Sequence, residues 1–296
     1  MAQRGRWLLL PAAMLTLALI GYRFIPNVQG IGSFIDTFAP WLGVGVPLLV
    51  LLALIRRAPV ALAAACVPAL LWAVLFGGAW LPHGGGTPRL TVATQNLLAG
   101  NPDPAATIRE LGRPDLLALQ EVTPEARDEV VGELDERYPY HAITSTVSLW
   151  SRFPIISSRP VDTGLGWRRA LRAEVKLPGG TAAIYVVHLG SLRPGQTEVR
   201  DRTIAELAER VRADKAQRLL ILGDFNTAST DRAFRPLTDL LTDAQSRAGT
   251  GPGFTWPAAL PLVRLDHILY RGMDPVTADT PRTPGSDHRA ATAAFA

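Results

Sequence analysis

Three uncharged apolar stretches near the amino terminus constrain this chain more than any other feature. Trp7 to Tyr22 is 16 residues without a charge, Thr37 to Ile55 is 19, and Ala58 to Leu81 is 24. A helix crosses a bilayer with roughly 17 to 25 such residues, so the second and third qualify by length and the first is marginal. The first follows Arg4 and Arg6 as a signal peptide would, yet no small-x-small cleavage site follows it and two more apolar stretches do. The expectation is an anchor of about three transmembrane helices over residues 1–82, a multi-pass arrangement in the plasma membrane. Core helices of a soluble domain are the alternative, but 24 uncharged residues exceed an amphipathic pattern. Pro11, Pro47 and Pro68 fall inside these stretches, where bilayer helices tolerate proline.

Arginines set the expected orientation. Arg4 and Arg6 precede the first stretch, and Arg56 and Arg57 form nearly all of the turn between the second and third. Positive residues remain cytoplasmic, which places the amino terminus inside and everything after Leu81 outside. The chain has 30 basic and 26 acidic residues; setting aside Arg4, Arg6, Arg23, Arg56, Arg57 and Asp36 leaves 25 of each. The pI of 9.6 is therefore largely a topology signal, which weakens the case for a nucleic-acid protein without removing it. The one cysteine, Cys66, lies in the third stretch, so the rest of the chain has no disulfide or cysteine metal site. The eight residues from Pro82 to Arg89 reach at most about 28 Å when extended, so the Gly/Pro linker over 83–89 keeps the domain at 90–296 near the bilayer.

From Leu90 onward short apolar runs alternate with helical segments. Strands are expected at "LTVATQN", "DLLALQEV", "SLWSRFPI", "LRAEVKL", "TAAIYVVHL", "RLLILGDFN", "LDHILY" and "DHRAATAAFA". Helices are expected over Pro104 to Leu111, Pro124 to Tyr138 with Thr123 as cap, and Gln196 to Ala213. Some strands are continuously apolar and others alternate, as in sheets covered by helices in a layered α/β domain.

Polar residues recur at the strand ends: Asn96, Glu121, His188, Asp224 with Asn226, Asp266, and Asp287 with His288. A single carboxylate at a strand end is usually a turn former, but six strands ending this way point to one shared rim. Carboxylates, amides and imidazoles without a thiol make an oxygen-rich site suited to a hard cation such as Mg²⁺ or Mn²⁺. Such a rim holds the parts phosphoester hydrolysis needs: a positioned water, a proton acceptor and donors to the phosphate oxygens.

The motifs "TQN", "LQEV", "SRFPI", "VHLGS", "GDFN", "FTW", "RLDHIL" and "SDH" occur in this order, which resembles the endonuclease/exonuclease/phosphatase family. The resemblance covers essentially all of 90–296. It implies a four-layer α/β sandwich of two packed mixed β-sheets and divalent-metal-dependent cleavage of phosphoesters. Carried onto this chain, it implies Glu121 as principal metal ligand with Asn96 beside it, and Asp287 as a further ligand of the metal centre. Asp224 and Asn226 position the attacking water and the phosphate, Asp266 orients His288, and His188 is a second histidine on the phosphate. Either Asp224 or His288 is then the general base, and Gly223 leaves room for backbone beside a phosphate.

Other polar residues carry plainer expectations. His267 faces away from Asp266 and is structural; His83 and His141 are solvated; Ser151 and Arg152 are architectural; Arg200 braces the loop after the His188 strand. "GWRRALR" over Trp167 to Arg172 is a patch for phosphate or headgroups, or a solvated strand edge. The substrate expectation is a lipid-linked or headgroup phosphate at the lipid bilayer, because the three-span arrangement is similar to membrane-anchored actinobacterial members of the family. One of these is linked to teicoplanin resistance and associated with undecaprenyl pyrophosphate. An extracellular endonuclease acting on nucleic acid uses the same residues, and a non-catalytic membrane binding module is the third reading. Oligomeric state has no signature in the sequence.

Overall fold

A computed structural model describes residues 5–81, 84–191 and 197–296; Arg4, His83 and Gln196 lie outside the described residues. The chain divides into two compact units, one of Met1–Leu81 with Thr230–Arg232, the other of Pro82–Ser229 and Ala233–Ala296.

Among the described residues of the first unit, three helical stretches are long and apolar enough to cross a membrane: Arg6–Phe24, Val28–Ile55 and Pro59–Trp80. They contain α1 (Leu9–Gly21), α2 (Ile31–Phe38), α3 (Gly45–Ile55) and α4 (Pro59–Phe76). The second stretch begins nine residues before the uncharged run at Thr37 and so includes Asp36. Charge counting sets that boundary too late, because a helix accepts a paired carboxylate: Asp36 is fully buried and accepts from Arg232 Nε at 2.6 Å. Small residues Ala12, Ala53, Ala61 and Ala65 fill the contact between α1, α3 and α4, as close packing of apolar helices requires. Leucines and valines such as Leu10, Leu17, Leu51 and Leu70 cover the outside.

The second unit is built on two six-stranded mixed sheets. The first has the order β11 (Pro275–Asp279), β12 (Ala291–Phe295), β1 (Leu90–Asn96), β2 (Leu116–Gln120), β4 (Val147–Ser151), β3 (Tyr140–Thr144). The second has the order β5 (Ile155–Pro160), β6 (Ala170–Leu177), β7 (Gly180–His188), β8 (Leu219–Asp224), β10 (Asp266–Arg271), β9 (Thr242–Asp243). Alternation explains the apolar runs. Leu220 and Leu222 of β8 enter the core between the sheets with Val92, Leu149, Ala173 and Val186. Leu219 and Ile221 pack outward on Ile204, Leu207 and Val211 of α7 (Thr197–Ala213). Opposite them α5 (Pro104–Glu110) and α6 (Pro124–Leu134) cover Ala93, Leu117 and Leu119. The four layers expected from the sequence are present. Thr123 Oγ1 caps α6 at Ala126 N, with Pro124 in the first turn, and Asp103 caps α5. Two short helices, α8 (Arg235–Thr238) and α9 (Ala244–Ala248), complete the unit.

Three expectations need correction. "SLWSRFPI" is two strands in different sheets: the first ends at Ser151, whose Oγ accepts from Phe153 N at 2.9 Å and donates to Phe153 O at 2.7 Å, and Pro154 O already accepts from Lys176 N of the second sheet. The edge strands β3 and β11 are absent from the sequence reading because they are partly exposed and polar. Gly223 has φ +153, and a Cβ there would lie 2.0 Å from Val187 O on β7. Close strand approach therefore demands this glycine, rather than room for a phosphate.

A half-buried cluster ties helix to sheet. Asp214, following α7, accepts from Arg172 Nε at 2.6 Å, Tyr185 Oη at 2.7 Å and Ala216 N at 2.9 Å. Burial opposes the charge, but these donors hold the carboxyl well below the usual carboxylate range. The stabilisation is complete above the ordinary carboxylate pKa and drains as pH falls through the depressed folded value. Asp214→Asn should cost about 2 kcal/mol at neutral pH and flatten the acid limb of the stability curve, read from urea unfolding across pH.

Candidate active site

Strand pairing brings the polar ends together. β7 and β8 run parallel with His188 opposite Asp224, and β10 runs antiparallel to β8 with Asp266 opposite the same aspartate. In the first sheet β1 and β2 are parallel, with Asn96 opposite Gln120 and Glu121 next in the chain. Asn96 then joins the sheets: its Nδ2 donates to Glu121 Oε1 and to Asp224 Oδ2, each at 3.1 Å. Its Oδ1 accepts from Leu98 N at 3.0 Å.

The loops leaving these strands are strained. Glu121 and Asn226 adopt φ +58 and +49, left-handed conformations that cost a non-glycine residue about 1 kcal/mol or more. Hydrogen bonds hold them there. Glu121 Oε2 accepts from Ala99 N at 2.6 Å; Asn226 N donates to Asp224 Oδ1 at 2.8 Å and Nδ2 to Leu189 O at 3.1 Å.

His288 Nδ1 lies 2.8 Å from Asp266 Oδ2, both groups buried. Burial works against a charged imidazole, but the Asp266 and Asp224 carboxylates outweigh it and raise His288 to about 10. His188 goes the other way: burial, with Arg169 and His288 nearby, lowers it to about 4 against the pull of Asp224. Asp224 is itself raised by burial and by Asp266. Two histidines of one site are thus held in opposite states, one charged and one neutral. Carboxylate oxygens of Asp224 and Asp266 and a ring nitrogen of His288 lie within 4.8 Å of one another, with Glu121 and Asn96 alongside; the charged ring is a donor, so the ligand atoms are the oxygens. Asp266 Oδ1 is buried without a hydrogen-bond partner. This oxygen-rich donor set and its orphaned carboxylate oxygen fit a hard divalent cation.

Asp287 does not join this group. It is exposed, and its Oδ2 accepts from the Trp256 indole at 3.2 Å. Arg169, expected only as part of the "GWRRALR" patch, joins the site: its Nη1 lies 3.2 Å from His188 Nδ1 while its guanidinium stacks 4.7 Å from the Trp167 ring centroid. The β6–β7 pairing brings it there, and Arg169 O accepts from His188 N at 2.9 Å. His267 is structural as expected, held by Thr227 O at 2.9 Å and Asp243 at 3.2 Å. Arg200 is fully buried and reaches Thr227 Oγ1 at 3.4 Å. Within the "TQN" and "SDH" motifs, Gln95 Nε2 donates to His288 O at 3.2 Å, and Ser286 Oγ donates to Asn96 O at 2.6 Å, fastening β1 to the His288 turn.

The profile of the endonuclease/exonuclease/phosphatase family matches residues 93–288. The chain belongs to that family. Its members hydrolyse phosphoester bonds, and this fold is an enzyme fold of that class. Among solved structures, zebrafish (D. rerio) TDP2 humanized by 14 mutations aligns at 17% identity over 70% of this chain and 98% of its own, with a TM-score of 0.58. The human Nocturnin catalytic domain with bound sulfate aligns at 20% identity, 72% and 96% coverage and a TM-score of 0.57. A mannosyl-6-phosphatase of Bacteroides thetaiotaomicron aligns at 16%, 70% and 100%, with a TM-score of 0.57. No curated protein sequence gives a significant match.

In the metal-free protein, the His288 imidazole should stay charged and His188 neutral between roughly pH 5 and 8. An NMR titration of the ring protons should show neither residue moving through its midpoint in that range.

Proposed function

We propose that the chain is a membrane-tethered, divalent-metal-dependent phosphoesterase whose catalytic domain lies outside the cytoplasm and acts on lipid-linked phosphate such as undecaprenyl pyrophosphate. The observation that carries the phosphoesterase chemistry is the Asp266–His288 pair at 2.8 Å beside Asn96, Glu121 and Asp224. The arginine pattern around three apolar helices supports the orientation, and the short linker supports a substrate near the bilayer.

Glu121, with Asn96 beside it, would hold Mg²⁺ or Mn²⁺. Such an ion supplies charge neutralisation at a phosphate oxygen. His288, kept protonated by Asp266, donates to a phosphate oxygen and offers its proton to developing negative charge. Asp224 is the proton acceptor for the attacking water: burial raises its basicity, and Asn226 N orients its Oδ1 at 2.8 Å. Neutral His188, fixed against Arg169, adds a second contact for phosphate. An extracellular endonuclease would use the same groups, and Trp167 and Trp256, 50% and 37% exposed, are the aromatic surfaces that reading would need for stacking.

Glu121→Ala and His288→Ala should each lower metal-dependent turnover by about 100-fold or more, with circular dichroism unchanged. Either variant turning over at the wild-type rate would remove that residue from the mechanism. Offered plasmid DNA and a polyprenyl pyrophosphate side by side with Mg²⁺ or Mn²⁺, the full chain in detergent should release phosphate from the lipid and leave the DNA intact. The opposite pattern would establish the nuclease.

A further inference from the structure

Between Arg247 and Arg264 there are 16 residues without a charge, in a chain of which 19% is charged. Their second half forms a narrow hairpin. Trp256 pairs with Val263 in an antiparallel bridge. Trp256 N donates to Val263 O at 2.9 Å, and Leu262 N returns to Trp256 O at 2.9 Å. The tip is Pro257, Ala258, Ala259, Leu260, Pro261 and Leu262. Leu260 is 68% exposed and Trp256 37%.

This hairpin is fastened to both segments that carry the catalytic pair. Thr255 Oγ1 accepts from Leu265 N at 3.0 Å and Asp266 N at 3.2 Å. On the other side Arg289 N donates to Thr255 O at 2.8 Å and Ala258 N to Asp287 O at 2.7 Å. The Trp256 indole N–H is taken by Asp287 Oδ2, which leaves the ring as an apolar surface. An exposed leucine on a braced, uncharged loop beside a phosphate-handling pair has a specific use when the substrate carries hydrocarbon. A nucleic-acid strand would need cations along its phosphates. The arginine at the base of the hairpin, Arg264, is buried and bonded to Asp243 Oδ1 at 3.0 Å, and Arg289 Nε bonds Ala258 O at 3.2 Å.

We infer that the Trp256–Val263 hairpin binds the hydrocarbon chain of a phosphate-bearing lipid and so selects substrates by chain length, an inference that rests on the lipid-phosphate reading above. The phosphate lies at His288 and the chain runs over Trp256 and Leu260. Removing apolar area there weakens binding of the chain and leaves the reacting phosphate in place.

The test uses the full chain in mixed micelles and two diphosphate monoesters, one with a long polyprenyl chain and one with a five-carbon chain. The wild type should show a lower KM for the long chain. Leu260→Ser should raise that KM about tenfold at unchanged kcat and leave the five-carbon KM within about twofold, and Leu260→Phe should restore the preference. Equal KM values for the two chain lengths in the wild type, or Leu260→Ser retaining the wild-type preference, would overturn the hairpin's role while lipid hydrolysis still stood. A wild type that cleaves neither diphosphate but cleaves DNA would overturn both.

Discussion

The active site depends on hydrogen bonds that cross from one sheet to the other. Asn96 at the end of β1 donates to Asp224 at the end of β8, and His288, entering β12 of the first sheet, bonds Asp266 of the second. Neither sheet holds a complete site. The apolar core between them, from Val92 and Leu149 to Leu171 and Leu222, is what fixes the spacing of these groups. Burial of that core and placement of the site are therefore one event.

Burial also determines the charges. In water two histidines near carboxylates would titrate together. Here His288 faces Asp266 and Asp224 and stays protonated, whereas His188 is buried against Arg169 and stays neutral. One is suited to donate to a phosphate oxygen, the other to contact phosphate without adding charge. Left-handed backbone at Glu121 and Asn226 carries a conformational cost, and it is offset by hydrogen bonds to Ala99 and Leu189.

The uncharged hairpin after Thr255, which exposes Trp256 and Leu260, is attached directly to the backbone of Asp266 and Asp287. Recognition of a hydrocarbon chain and handling of a phosphate would thus share one rigid support. Such coupling suits an enzyme whose substrate is part lipid and part phosphate, because binding energy from the chain can orient the reacting group.

Much of this was legible in the sequence because local pattern reports what a segment buries. Uncharged length marked the three apolar helices, alternation and polar strand ends marked the central strands, and motif order marked the family. Where local pattern is silent, the reading failed. Asp36 looked like a boundary until its partner was seen, Gly223 answers to Val187 on the next strand, and "SLWSRFPI" divides between sheets at a corner made by Ser151. Asp287 sits beside His288 in sequence, yet its side chain is spent on Trp256, and Arg169 comes to His188 only through the pairing of β6 with β7. The sequence by itself determined most of the apolar core, the central strands and the chemistry the rim can hold, since these follow from hydrophobicity and residue type. Only the tertiary structure decided which polar groups meet and which histidine keeps its proton, because those depend on distances across two sheets that no single segment contains.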